Sequence, residues 1–109
     1  MGSGKVREEL NISLDNVRIK ENSWIAKIAA NKLRTQNVAI VLGRTIHLYK
    51  VSKDEFLKNT RWVKHESCHL RQFQNNGYFL FILKYLWQSM LRGYYNNKYE
   101  IEARLAEKD

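Results

Sequence analysis

Two histidines four residues apart, with a glutamate beside the first, stand in the stretch WVKHESCHLRQF: His65, Glu66 and His69. On an α-helix each residue turns by about 100 degrees, so positions i and i+4 lie one above the other. His65 and His69 then project together and can offer two imidazole nitrogens to one metal ion. Glu66 stands one step round, near enough to take a proton from a water on that metal without ligating it. This is the logic of the H-E-x-x-H pattern, and imidazole with carboxylate suits zinc. Only three of its five positions are fixed, so the competing reading is two histidines on an ordinary amphipathic helix. Context favours the metal: the segment reads as helical, a strand precedes it, and it uses two of the chain's 3 histidines.

A catalytic zinc needs a third protein ligand. His47, on a strand upstream, is one candidate, and Glu100 and Glu102 in NNKYEIEARLAE are the others. The two glutamates point about 200 degrees apart on a helix, so only one can face the metal. Glu100 also has a purely structural use, completing a capping box with Asn97. Spacing alone favours Glu100 and leaves Glu102 and His47 open. Cys68, inside the motif, reads as a small buried hydrophobe, with an extra metal ligand as the alternative. Gln72 falls almost under the two histidines, either bonded to one of them or lining the cleft floor.

H-E-S-C-H followed about thirty residues later by Y-E-I-E-A resembles the gluzincin class of zinc peptidases. The size resembles the small single-domain members called minigluzincins, and the resemblance covers roughly residues 40–107. It implies a glutamate ligand in an E-x-x-A pattern on a later glutamate helix, which falls on Glu100. It implies a zinc cofactor, a peptide or protein substrate, and hydrolysis through a metal-activated water with Glu66 as general base. It also implies a minimal zincin-like fold: a helix, a small sheet, the active-site helix and the glutamate helix. The chain departs from the pattern where many gluzincins place an aspartate after the alanine to orient a ligand histidine; here Arg104 follows Ala103. The metzincin continuation is absent, with Gln72 and Asn75 where glycine and histidine would stand, and the upstream cysteine ligand of peptide deformylase has no counterpart. A donor for the developing oxyanion is needed besides zinc. Tyr94, Tyr95, Tyr99 and His47 are the candidates, and Tyr95 is the choice. The alternative function is a catalytically silent or latent metal-binding or interaction domain of zincin fold. In that case zinc is structural and a fourth protein ligand, with Cys68 the one to watch, closes the site.

These side chains must be held by regular elements. Trp24, Ile25, Ile28, Ala29 and Leu33 repeat at helical spacing behind caps at Asn22 or Ser23, predicting a helix over 23–35. NVAIVL and TIHLYK flank Gly43-Arg44 and read as strands, with Ile46 and Leu48 on one face and Thr45, His47 and Tyr49 on the other. TIHLYK is the expected edge for an extended peptide. Ser52 with Glu55 has capping-box spacing, and Thr60 is the expected cap of the helix that carries the motif and ends near Asn75-Asn76-Gly77. YFLFILKYLWQSMLR predicts a long, mostly buried helix closed by Gly93, and a last helix starts near Lys98. Weak extended segments are expected around Ile12 and Leu14, and around Val17 and Ile19. The sum is a helix-rich α+β fold.

The whole chain has 109 residues, which predicts one domain over 1–109, and MGSG at its start reads as a cloning remnant. No secretory signal and no membrane span is legible, because the longest apolar run is short and interrupted by Lys84. A single cysteine excludes an internal disulfide and fits a reducing, cytoplasmic setting. The net charge of +8 raises nucleic acid as a partner, yet the basic residues are scattered, so no specific nucleic-acid binding is expected. A homodimer through the YFLFILKYLWQSML helix is the alternative to burying that helix in the core.

Overall fold

The computed structural model describes residues 16–108, and the segment expected around Ile12 and Leu14 lies outside them. In chain order come β1 (Arg18–Lys20), α1 (Trp24–Leu33), β2 (Val38–Leu42), β3 (Thr45–Tyr49), α2 (Lys53–Lys58), α3 (Thr60–Asn76), α4 (Tyr78–Asn96) and α5 (Lys98–Ala106). The architecture is helix-rich α+β with one small mixed sheet.

The sheet order is β1-β3-β2. β1 runs parallel to β3, with Ile19 opposite Ile46, and β2 runs antiparallel to it, with Ile40 opposite His47. Gly43 makes the β2–β3 turn possible: its φ is 64°, and a Cβ there would stand 3.0 Å from the Tyr78 ring. TIHLYK, expected as the peptide-binding edge, is therefore the central strand. Both its edges are already paired, and the edge strand on this side of the sheet is β2.

Alternation along the strands divides two layers. Ile46, Leu48 and Val41 join Phe56, Val63, Leu70, Phe73 and Phe81 in the main core beneath α3. Val38 and Ile40 turn the other way, toward Ala26 and Ala30 of α1. The stripe of large apolar residues on α1 is not the one that packs: Trp24, Ile28 and Leu33 are at least half exposed. Alanines spaced i, i+4 let the helix lie close to the sheet, and the larger side chains are left outside. Ser23 caps α1, its Oγ accepting from the Ile25 N–H at 3.2 Å, and pairs with His47 Nδ1 at 2.7 Å.

The capping box at α2 is present, with Ser52 Oγ accepting from Glu55 N–H and Ser52 N–H donating to Glu55 Oε1. The cap of α3 is Asn59 rather than Thr60, its Oδ1 accepting from the Trp62 N–H at 3.1 Å. Helix α4 also departs from expectation. Phe81 is its one fully buried residue; Gly93 (φ 79°, ψ 169°) leaves helical geometry and closes the long helix as expected, with a short helical turn following to Asn96. Apolar side chains stand on two sides of the helix, but among the described residues only one of those sides meets the rest of the domain.

Candidate metal centre

Helices α3 and α5 bring together three of the residues singled out by spacing. His65 Nε2 lies 3.2 Å from Glu100 Oε1, and His69 Nε2 lies 3.3 Å from Glu100 Oε2. One ligand atom from each of the three residues falls within 4.8 Å of the others. Glu102 lies elsewhere, accepting from Gln72 Nε2 at 2.6 Å, and His47 is held by Ser23 under α1.

The position of Glu100 follows from how α5 is seated. Asn97 is wholly buried at its N-terminus: Oδ1 accepts from the Tyr99 N–H, while Nδ2 donates to the Tyr85 carbonyl and to Ser89 Oγ. Glu100 does not complete the expected capping box with its carboxylate, which turns inward to the histidines and Tyr85 instead. Ala103, three residues on, is fully buried against Cys68. A small residue there lets α5 close onto α3, which gives the alanine of E-x-x-A a packing reason. Cys68 is the small hydrophobe of that contact. Its thiol faces Glu102 and Gln72 rather than the centre, and burial pushes it up to about 11, so it stays protonated.

The outward nitrogens of both histidines are engaged by acceptors. His65 Nδ1 lies 2.7 Å from Glu107 Oε2, and His69 Nδ1 lies 2.8 Å from Gln72 Oε1. A carboxylate and an amide oxygen only accept, so these partners assign a proton to each Nδ1. Each Nε2 faces Glu100 and, in the metal-free chain, donates to it; that inner proton is the one a metal would replace. Two such imidazoles with a buried carboxylate fit a divalent cation of zinc's preferences. Gln72 thus bonds a histidine, and is itself fixed by donating to the Tyr99 carbonyl at 3.1 Å and to Glu102. Glu107 was missed at the sequence level. It stands two helical turns after Glu100, a spacing that puts both on one helix face. Arg104, in the place of the expected aspartate, lies over the Tyr95 ring instead.

Charge is concentrated here with little water. Burial pushes Glu66 up to about 7, against the pull of His69 and His65. Burial also disfavours the His65 imidazolium, but Glu100, Glu66 and Glu107 outweigh it and raise the group to about 9. His69 is likewise raised, by Glu100 and Glu66 against burial. Glu100 is held well below the usual carboxylate range, because bonds from His65, His69 and Tyr85 overcome its burial. Tyr85, whose hydroxyl donates to Glu100, is pushed up by burial and by that carboxylate. A hydroxyl inside an otherwise apolar run was the signal that could have found it.

The centre opens onto a groove of about 240 Å³. All five residues of β2 line it, with Leu33 from α1 and with Phe81, Leu86 and Tyr94 from α4. Burial and the nearby Glu100 carboxylate push the Tyr94 hydroxyl up, so it stays protonated. Tyr95, the expected oxyanion donor, is not brought to the centre: it is 70% exposed under Arg104. No protein-family model, no curated protein and no solved structure matches this chain.

Proposed function

We propose that this chain is a zinc-dependent metallopeptidase of the gluzincin type, with zinc held by His65, His69 and Glu100. The observation that carries the reading is the convergence of those three side chains from two helices, at the floor of a groove, with Glu66 enclosed beside them. Bound there, zinc supplies Lewis acidity, which polarises a carbonyl and makes water acidic enough to ionise near neutral pH. Glu66 takes the proton of the attacking water on its carboxylate and returns it to the departing amine. Tyr94, in place of Tyr95, donates to the oxygen on which charge develops. The free edge of β2 receives an extended peptide by backbone pairing, and the apolar groove takes an apolar side chain of that substrate.

Catalytic rather than structural metal is favoured by the ligand count. Among the described residues the cluster offers three ligands, and Cys68, the candidate for closing it, faces the other way. A structural site is normally closed by a fourth protein ligand. The peptide or protein substrate is the partner this reading requires, and a single buried cysteine fits a cytoplasmic setting.

Elemental analysis of protein purified without chelating resin tests the reading. The expected result is about one zinc per chain, lost in Glu100→Ala and kept in Glu102→Ala. Absence of metal in the wild type, even after zinc is added, overturns it. With metal in place, hydrolysis of unstructured peptides must follow and must fall steeply in Glu66→Gln.

A further inference from the structure

Helix α4 carries apolar side chains on two opposite faces. Phe81, Ile82 and Tyr85 serve the core and the groove. Phe79, Leu80, Leu83, Trp87, Met90 and Leu91 face solvent, Phe79 at 79% and Met90 at 72% exposure. At about 100 degrees per residue, these six and Leu86 fill one arc of roughly 140 degrees that holds no polar side chain. Scattered exposed apolar residues are ordinary, but a contiguous strip marks a docking surface.

Charge chooses what docks. From residue 67 to residue 99 the chain has no aspartate or glutamate. By the same angular count Arg92 lies opposite the strip, and Lys84 is the cation of α4 beside it. Lys84 follows Leu83 and borders the strip. The chain as a whole carries +8. Two copies would bring like net charges together and offer Lys84 no acid from the strip, whereas an anionic bilayer supplies phosphates to meet it. The aromatic residues agree. Trp87 lies on the strip and Tyr95 at its C-terminal end, both more than half exposed, and amphipathic rings of this kind favour the headgroup level. No helix among the described residues is long and apolar enough to cross a membrane. The fitting geometry is a helix lying in the interface.

We propose that the outer face of α4 seats this domain on an anionic lipid surface. Leu86 belongs to both the strip and the groove, and Leu33 lines the groove from α1, so docking sets the groove mouth at the lipid–water boundary. The proposal does not depend on bound metal.

Co-sedimentation of the full chain with vesicles tests it, in the presence of a chelator. Vesicles of phosphatidylglycerol mixed with phosphatidylcholine are compared with phosphatidylcholine alone. The expected result is pelleting with the anionic vesicles only. Leu83→Glu should abolish it with circular dichroism and thermal unfolding unchanged, since Leu83 is 64% exposed. Lys84→Gln should weaken it about fivefold. A chain that stays in the supernatant with both vesicles overturns the proposal. So does one that binds both equally, or that binds as well with Leu83→Glu. Sedimentation equilibrium is the companion measurement: a dimer broken by Leu83→Glu, without vesicle binding, assigns the strip to a second copy instead.

Discussion

Glu100 receives His65, His69 and Tyr85, and this fixes how the centre responds to pH. In the metal-free chain His65 is raised from 6.5 to about 9, so its folded form holds a proton more tightly than its unfolded form. That contribution to stability is fully present below pH 6.5 and is lost as pH rises through about 9. Zinc must displace the same proton, so its affinity runs the other way and tightens over this window, by up to tenfold per pH unit for each proton released. Titration of zinc binding at stepped pH checks the slope, and a flat profile would mean that His65 is not a ligand. Glu66 is separable from binding. Glu66→Gln keeps the shape but cannot take a proton, so metal content should hold while turnover falls roughly 10²- to 10⁴-fold. His65, His69 and Glu100 were legible because helix periodicity alone sets their directions. The choice between Tyr94 and Tyr95 was not, because Gly93 leaves helical geometry and the angular count along α4 does not carry past it.

At the scale of elements, the caps decide where the ligands point. Asn97 both starts α5 and ties it to α4, so Asn97→Ala removes a cap and two further buried hydrogen bonds. The expected cost is about 2–3 kcal/mol, measured by urea unfolding, with weaker zinc binding because Glu100 loses its anchorage. Asn59→Ala should cost about 1 kcal/mol, whereas Thr60→Ala should be close to neutral, since Asn59 holds the Trp62 N–H. Equal losses at the two positions would contradict that assignment. Caps and turns such as Ser52–Glu55 were readable because they are local. The burial of α1 and α4 was not, because apolar periodicity says which residues share a face but not whether anything covers it. Ala26 and Ala30 win on α1 because closeness to the sheet outweighs side-chain size. On α4 no second layer is present among the described residues, so Leu83, Trp87 and Met90 remain outside.

Across the whole molecule the centre works as a joint. α3 carries two of the ligands and α5 the third, and the buried apolar cluster between them is built of small side chains, Cys68, Ala103 and Ala106. Much of what holds α5 in place is therefore polar: the Asn97 bonds, the Glu107 pair with His65, and Glu100 beneath the histidines. Buried charges of this kind repay their desolvation only when well partnered, and a divalent cation is a stronger partner for Glu100 than two imidazolium rings. Metal should thus stabilise the entire fold and not only the groove. Free zinc at a hundredfold over Kd adds about 2.7 kcal/mol, which for a domain of this size raises Tm by roughly 10 °C. Thermal unfolding followed by circular dichroism, with zinc and then with excess chelator, measures the gain and its reversal. Glu102→Ala should show the same rise and Glu100→Ala should show none. If the wild type melts at one temperature with and without zinc, the cluster is a closed ion-pair network between two helices. Glu66 then has no metal-activated water to act on.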